Sequence, residues 1–133
     1  MSNTFSFCRN LTVAPEIPST VNNLQWAFAY TEINDAPEIP SSVTDMQYTF
    51  FDCTSLTTAP EIPSSVTDMK GTFSACASLT GNLVINANPT NYNYCLENTS
   101  TAAGTNLVVS GTSTLLDAII ATKSANSNIT KGN

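Results

Sequence analysis

CTSLTTAPEIPSSVTDMKGTF, residues 53–73, decides how this chain is read. The order of its cysteine, leucine, isoleucine, valine, methionine and phenylalanine recurs upstream and, in weaker form, downstream. Within it, APEIP is one of three copies, at 14–18, 36–40 and 59–63. Two prolines and an acid in five residues suit neither a helix interior nor a central strand. The information therefore lies in the spacing, 22 and then 23 residues.

Aligned on itself, the chain resolves into columns. One holds Phe5, Phe28, Phe50, Phe73 and Leu96, and a second Cys8, Thr31, Cys53, Cys76 and Thr99. Others hold Leu24, Met46, Met69 and Tyr92; Leu11, Ile33, Leu56, Leu79 and Ala102; Ile17, Ile39, Ile62, Ile85 and Val109; and Val21, Val43, Val66 and Pro89. A unit this short cannot bury its own apolar residues, so it must stack on its neighbours. The expectation is an α/β repeat solenoid of about five 22–24-residue coils over 1–133. Clear repeats span 5–80, degenerate strand-forming coils 81–110, and a cap helix with its tail 111–133.

Two segments can be placed within a coil. In DMQYTFFDC, Met46, Phe50 and Cys53 fall on one helical face, which predicts a short helix or 3₁₀ turn. Thr44 or Asp45 is placed to cap it, and Thr67 or Asp68 the next one. The segment around Ile62 or Ile85 should be extended. Pro60 and Pro63 allow only a sparse ladder, whereas GNLVINA and TNLVVSG should form better strands. TSTLLDAIIATK reads as an amphipathic C-terminal cap helix, with Leu115, Leu116, Ile119 and Ile120 inward and Ser113 or Thr114 as its N-cap. At the other end, Phe5, Phe7 and Leu11 open mid-unit. They mark a candidate docking end, toward an upstream part of a longer parent chain, another chain or a second copy.

Composition narrows the function classes. Only 11% of the residues are charged, against roughly a quarter in a typical domain. Twenty threonines, 15 serines and 15 asparagines keep the surface wet instead, a composition common in secreted, cell-surface and virion proteins. The net charge is −6, and Arg9, Lys70, Lys123 and Lys131 form no cluster. Nucleic acid is therefore not an expected partner, since phosphate binding needs clustered cations. No apolar run approaches the roughly 20 residues of a membrane span, and no signal peptide is visible.

The V-T-x-M…F-x-x-C-x-S-L spacing resembles the bacterial surface-protein repeat of the BspA-like leucine-rich-repeat class. The resemblance covers residues 5–80 well and 81–110 weakly. It implies a right-handed leucine-rich-repeat-like solenoid, with the Ile of EIP on the sheet side and Phe50, Phe73, Cys53 and Cys76 in the core. It also implies a surface location and, for some members, adhesion to host proteins or other cells. Related repeats occur in phage-encoded proteins. The proline-rich APEIP departs from the usual strand segment.

Candidate sites follow from the columns. Cys8, Cys53 and Cys76 alternate with threonine, which describes a small slot where an S–H or O–H meets a carbonyl. Stacking brings Cys53 and Cys76 within bridging range, but the threonines show that no bridge is required. Cys95 stands three residues early, at the position of Thr49 and Thr72. With no histidine and no C-x-x-C, neither zinc nor any other cofactor is expected. Glu16, Glu38 and Glu61 form an acid column, read either as a stripe for a cation or basic ligand or as a solvated row. Trp26, Tyr48 and Tyr94 share a column with Gly71 in the gap, near Tyr30 and Phe51. They either offer a ligand-binding surface or lie flat across neighbouring coils. The serine pairs at 19–20, 41–42 and 64–65 read as turns, since no histidine is present to activate a nucleophile. The expected function is a non-enzymatic cell-surface or secreted module binding a protein or glycan. The alternative is a virion component, such as a phage tail or capsid accessory protein, docking through Phe5, Phe7 and Leu11.

Overall fold

In the computed structural model, which describes residues 1–132, alternate residues of each clear repeat spend their backbone N–H groups differently. Trp26, Phe28 and Tyr30 donate to the carbonyls of Gln47, Thr49 and Phe51, at 2.8–3.0 Å. Ala27, Ala29 and Thr31 instead close short turns onto Leu24, Trp26 and Phe28. One unit later, Met46, Tyr48, Phe50 and Asp52 donate to Asp68, Lys70, Thr72 and Ser74. The repeat spacing is therefore expressed as hydrogen bonds between successive segments.

This bonding replaces the helix expected over DMQYTFFDC. Met46, Thr49, Phe50 and Cys53 are all buried, the pattern of a helical face. Tyr48 and Asp52, however, have φ of 52° and 55°, and a helix needs φ near −63° throughout. Corresponding left-handed pairs are Trp26 and Tyr30, Gly71 and Ala75, and Tyr94 and Asn98. Asp45 and Asp68, expected as helix caps, close turns instead. Their Oδ1 atoms accept the N–H of Gln47 and Lys70 at 2.9 and 3.0 Å.

The leucine-rich-repeat-like solenoid of about five coils with a helical cap is corrected by the structure. The chain is mostly coil, with three parallel strands in one open sheet and one short helix. The strands are β1 (Gly81–Val84), β2 (Leu107–Ser110) and β3 (Ile129–Lys131), in the order β1-β2-β3. Leu83 pairs with Val109, and Leu107 with Ile129. Before Gly81 the extended segments make only single bridging pairs, such as Asn23–Asp45, Asp45–Asp68 and Asp35–Thr58. Proline lacks the N–H that a longer ladder would need.

Two C-terminal expectations are also corrected. Val109 is not opposite Ile85, because the spacing has lengthened: Thr80 meets Asn106 and Asn86 meets Thr112, 26 residues apart. The even shift keeps Val109 inward. Gly111 follows β2 with φ 126°, and a Cβ there would collide with the Ile85 carbonyl. The cap helix shrinks to α1 (Leu116–Ile120), with Leu116 and Ile119 buried and Leu115 and Ile120 half-buried. No side chain caps its first turn; Thr114 bonds Asn88, and Ser113 accepts the Leu115 N–H. β3 follows α1 and extends the sheet, so the helix does not close the chain. Residue 133, at the end of the expected cap segment, lies outside the described residues.

One core runs from Ile17 to Ile129. Its axis is a stack of rings, Phe5 on Phe28 on Phe50 on Phe73, with centroids 5.5–5.7 Å apart and planes within 14° of parallel. Among the described residues, no helix is long and apolar enough to cross a membrane.

Candidate functional site

The left-handed column positions a partly open aromatic surface. Trp26, Tyr48, Gly71 and Tyr94 all have φ of 52–60°. Only glycine adopts this conformation without strain, and other residues bear roughly 1–2 kcal/mol each. Gly71 has no side chain because the Tyr48 ring lies over it, and a Cβ there would collide with that ring. Trp26 stacks on Tyr48 at 4.4 Å and 19°. Phe51 stands edge-on to Trp26, Tyr30 and Tyr48. Tyr94, beyond Gly71, is 54% exposed.

Together these rings border a depression of about 370 Å³, lined by Trp26, Tyr30, Tyr48, Phe51, Ser74, Tyr94 and Glu97. Tyr48 lies flat across its neighbour, while Tyr94 stands open to solvent. Arg9 and Lys70 sit at the rim, 5.9 Å over the Tyr30 ring and 5.8 Å over the Tyr48 ring.

Ser74 and Glu97 were not among the expected site residues. They fall in a column with Ala29 and Phe51, whose chemistry changes at every unit, unlike the core columns. That variability was the available signal.

The acid column stays dispersed. Glu16 and Glu38 border one shallow surface cleft, and Glu38 and Glu61 another. Glu61 accepts from the Asn86 amide at 2.7 Å. Among the described residues, no group of three or more acidic or cysteine side chains is gathered as a metal site would require.

At the N-terminal segment, Phe5 is half-buried on Phe28, while Phe7 is 65% exposed and stacks on Tyr30 at 4.4 Å. Leu11 packs against the edge of the core. The N–H groups of Asn3, Phe5 and Phe7 donate to the next segment, but the carbonyls of Ser2, Thr4 and Ser6 accept nothing within the described residues.

The cysteine column is structural. Cys53 and Cys76 donate their S–H to the carbonyls of Phe28 and Phe50 at 3.1 and 3.0 Å, and Thr99 donates its O–H to Phe73 at 2.7 Å. All four cysteines are free, and only Cys8 is exposed. Burial pushes the Cys53 thiol up to about 11 and Cys95 to about 12, and raises Cys76 well above the ordinary value. Of the serine pairs, Ser42 and Ser65 donate to the carbonyls of Val21 and Val43, a turn-stabilising role.

Comparison of the chain with protein-family models, curated proteins and solved structures finds no significant match.

Proposed function

We propose that this chain is a non-enzymatic binding module, surface-located or secreted, that engages a protein or glycan through the aromatic depression. The observation that carries this reading is the cost of the aromatic column. Trp26, Tyr48 and Tyr94 occupy backbone positions where glycine would be unstrained, yet part of their surface remains open. Large rings kept partly open at such positions are what a contact surface requires. The resemblance of the V-T-x-M…F-x-x-C-x-S-L spacing to bacterial surface repeats points the same way. A chain with no histidine, whose Ser42 and Ser65 hydroxyls are tied to backbone carbonyls, has little to offer as a nucleophile–base pair. The test is an array of glycans and candidate host proteins probed with wild type and Tyr94→Ala. Loss of a wild-type hit in the variant supports the depression, and retention of every hit removes it.

A second reading is a structural subunit of a larger assembly, such as a phage tail or capsid accessory protein, docking through Phe5, Phe7 and Leu11. It is favoured by the three unpaired carbonyls beside the exposed Phe7 ring. Concentration-dependent assembly abolished by Phe7→Ala supports it. A monomer at every concentration, alone and with candidate partners, refutes it.

A further inference from the structure

Polar groups around the aromatic depression hold their hydrogen bonds in reserve. Ser74 lines the depression, and its hydroxyl, accessible from that side, makes no hydrogen bond to another described residue. The Glu97 carboxylate, the Trp26 indole N–H and the Tyr94 hydroxyl, bordering the same space, are likewise unpartnered there. Some polar side chains along the stack pair with one another. Asn23 and Gln47 donate to Asp45 and Asp68, Asn91 donates to Asp68, and Asn128 donates to Thr105. A hydroxyl that opens onto an apolar depression is free to orient a ligand there.

The surroundings select among ligand chemistries. A cationic ligand would compete with Arg9 and Lys70, which already lie over two of the rings and add positive charge at the rim. An anion would face Glu97. A purely apolar segment would strip water from Glu97 and Ser74 without replacing its hydrogen bonds. A neutral ring with one C–H face and several hydroxyls meets every demand. Its face packs on an aromatic side chain, a hydroxyl donates to Glu97, and another pairs with Ser74. The volume, about 370 Å³, is near the lower end of ligand pockets, roughly 300–1,000 Å³. This suits a short recognition unit.

We propose that the depression binds a neutral pyranose unit of a glycan, with Tyr94 as stacking platform and Glu97 and Ser74 as hydroxyl partners. This rests on the reading of the depression as the binding site and names its ligand. Trp26 is the only tryptophan, so its emission reports directly on the site. The full chain is titrated with the methyl glycosides of glucose, galactose, mannose and N-acetylglucosamine and screened on an array of neutral glycans. Choline chloride and N-acetylphenylalanine amide are titrated in parallel, and amide resonances map each interaction.

At least one neutral glycan should shift Trp26 emission and the resonances of Ser74 and Glu97. Tyr94→Ala and Glu97→Gln should each weaken it roughly tenfold or more, while wild-type amide dispersion confirms that each variant is folded. If Tyr94→Ala does not fold, Tyr94→Phe and Glu97→Gln carry the test: Phe should retain stacking and binding, and Gln should lose affinity. Response to choline or the phenylalanine amide, with none to any glycan, overturns the ligand class and leaves the site reading standing. No response to any probe overturns both. Glycan binding unaffected by Glu97→Gln, or mapping away from Ser74, also overturns the proposal.

Discussion

Gly71→Ala tests the geometry on which the aromatic site depends. Position 71 has φ 60°, where a Cβ costs about 1–2 kcal/mol. Part of that is offset, because alanine narrows the unfolded ensemble by about 0.4–1 kcal/mol. The larger cost is steric: the new Cβ would fall on the Tyr48 ring, which is held by Trp26 on its other side. Overpacking of this kind costs about 1–3 kcal/mol. Gly71→Ala should therefore destabilise the chain by about 2–4 kcal/mol in urea denaturation. It should also change Trp26 emission in the folded state. In a Tyr48→Ala background the collision is gone, and only about 1 kcal/mol should remain. The coupling between the two substitutions is then about 1–3 kcal/mol, well above the additivity error for distant sites. Equal destabilisation in both backgrounds would show that Tyr48 does not cover Gly71, and the arrangement of the depression would be wrong.

Native-state thiol titration with an aromatic disulfide reagent should modify Cys8 alone, and denaturant should release the other three; rapid labelling of more than one thiol contradicts the buried column. Raising the pH should destabilise the chain. Cys53, Cys76 and Cys95 stay protonated in the fold, whereas their unfolded thiols ionise near 9, so the unfolded state binds fewer protons above that pH. Stability should fall by about 1 kcal/mol per pH unit for each thiol, with the Cys53 contribution exhausted near pH 11; Cys53→Thr, mimicking Thr31, should flatten the slope. Phe50→Ala removes the middle of the buried ring stack and should cost about 3–5 kcal/mol, whereas Phe7→Ala, largely exposed, should cost under about 1 kcal/mol; comparable losses at the two positions would refute the stack as the core's axis.

What the sequence disclosed, and what it hid, follow from the same property of the repeat. Columns such as Phe28, Phe50 and Phe73 are legible because stacking demands the same ring at each level. The expected helix fails because burial at Met46, Thr49, Phe50 and Cys53 reports only which residues face inward. It does not report whether the backbone bonds within the segment or to its neighbour. The left-handed residues decide that question, and three of the five in the first column, Asn3, Trp26, Tyr48, Gly71 and Tyr94, are aromatic, so the usual signal is weak. The visible hints were Gly71 and the scattered Asn3, Asp52 and Asn98, residues that tolerate this conformation. The Val109 register fails for another reason: the spacing grows to 26 residues past Thr80, so the column that set Val109 24 residues after Ile85 slips by two.

The candidate site divides along the same line. Trp26, Tyr48 and Tyr94 can be found by looking for sameness, because they repeat. Ser74 and Glu97 cannot, because their column runs Ala29, Phe51, Ser74, Glu97 and looks like noise beside the core. In a stacked chain, however, the core columns are constrained to repeat, and a surface column is free to differ at each level. A position that changes chemistry next to a strained, repeating aromatic column is where one level can acquire a polar partner for a ligand and the next a wall. In this chain Phe51 supplies the wall, while Ser74 and Glu97 supply unpartnered oxygens. For the proposed binding role, variation within the repeat would set the specificity-bearing side of the depression, and repetition its platform.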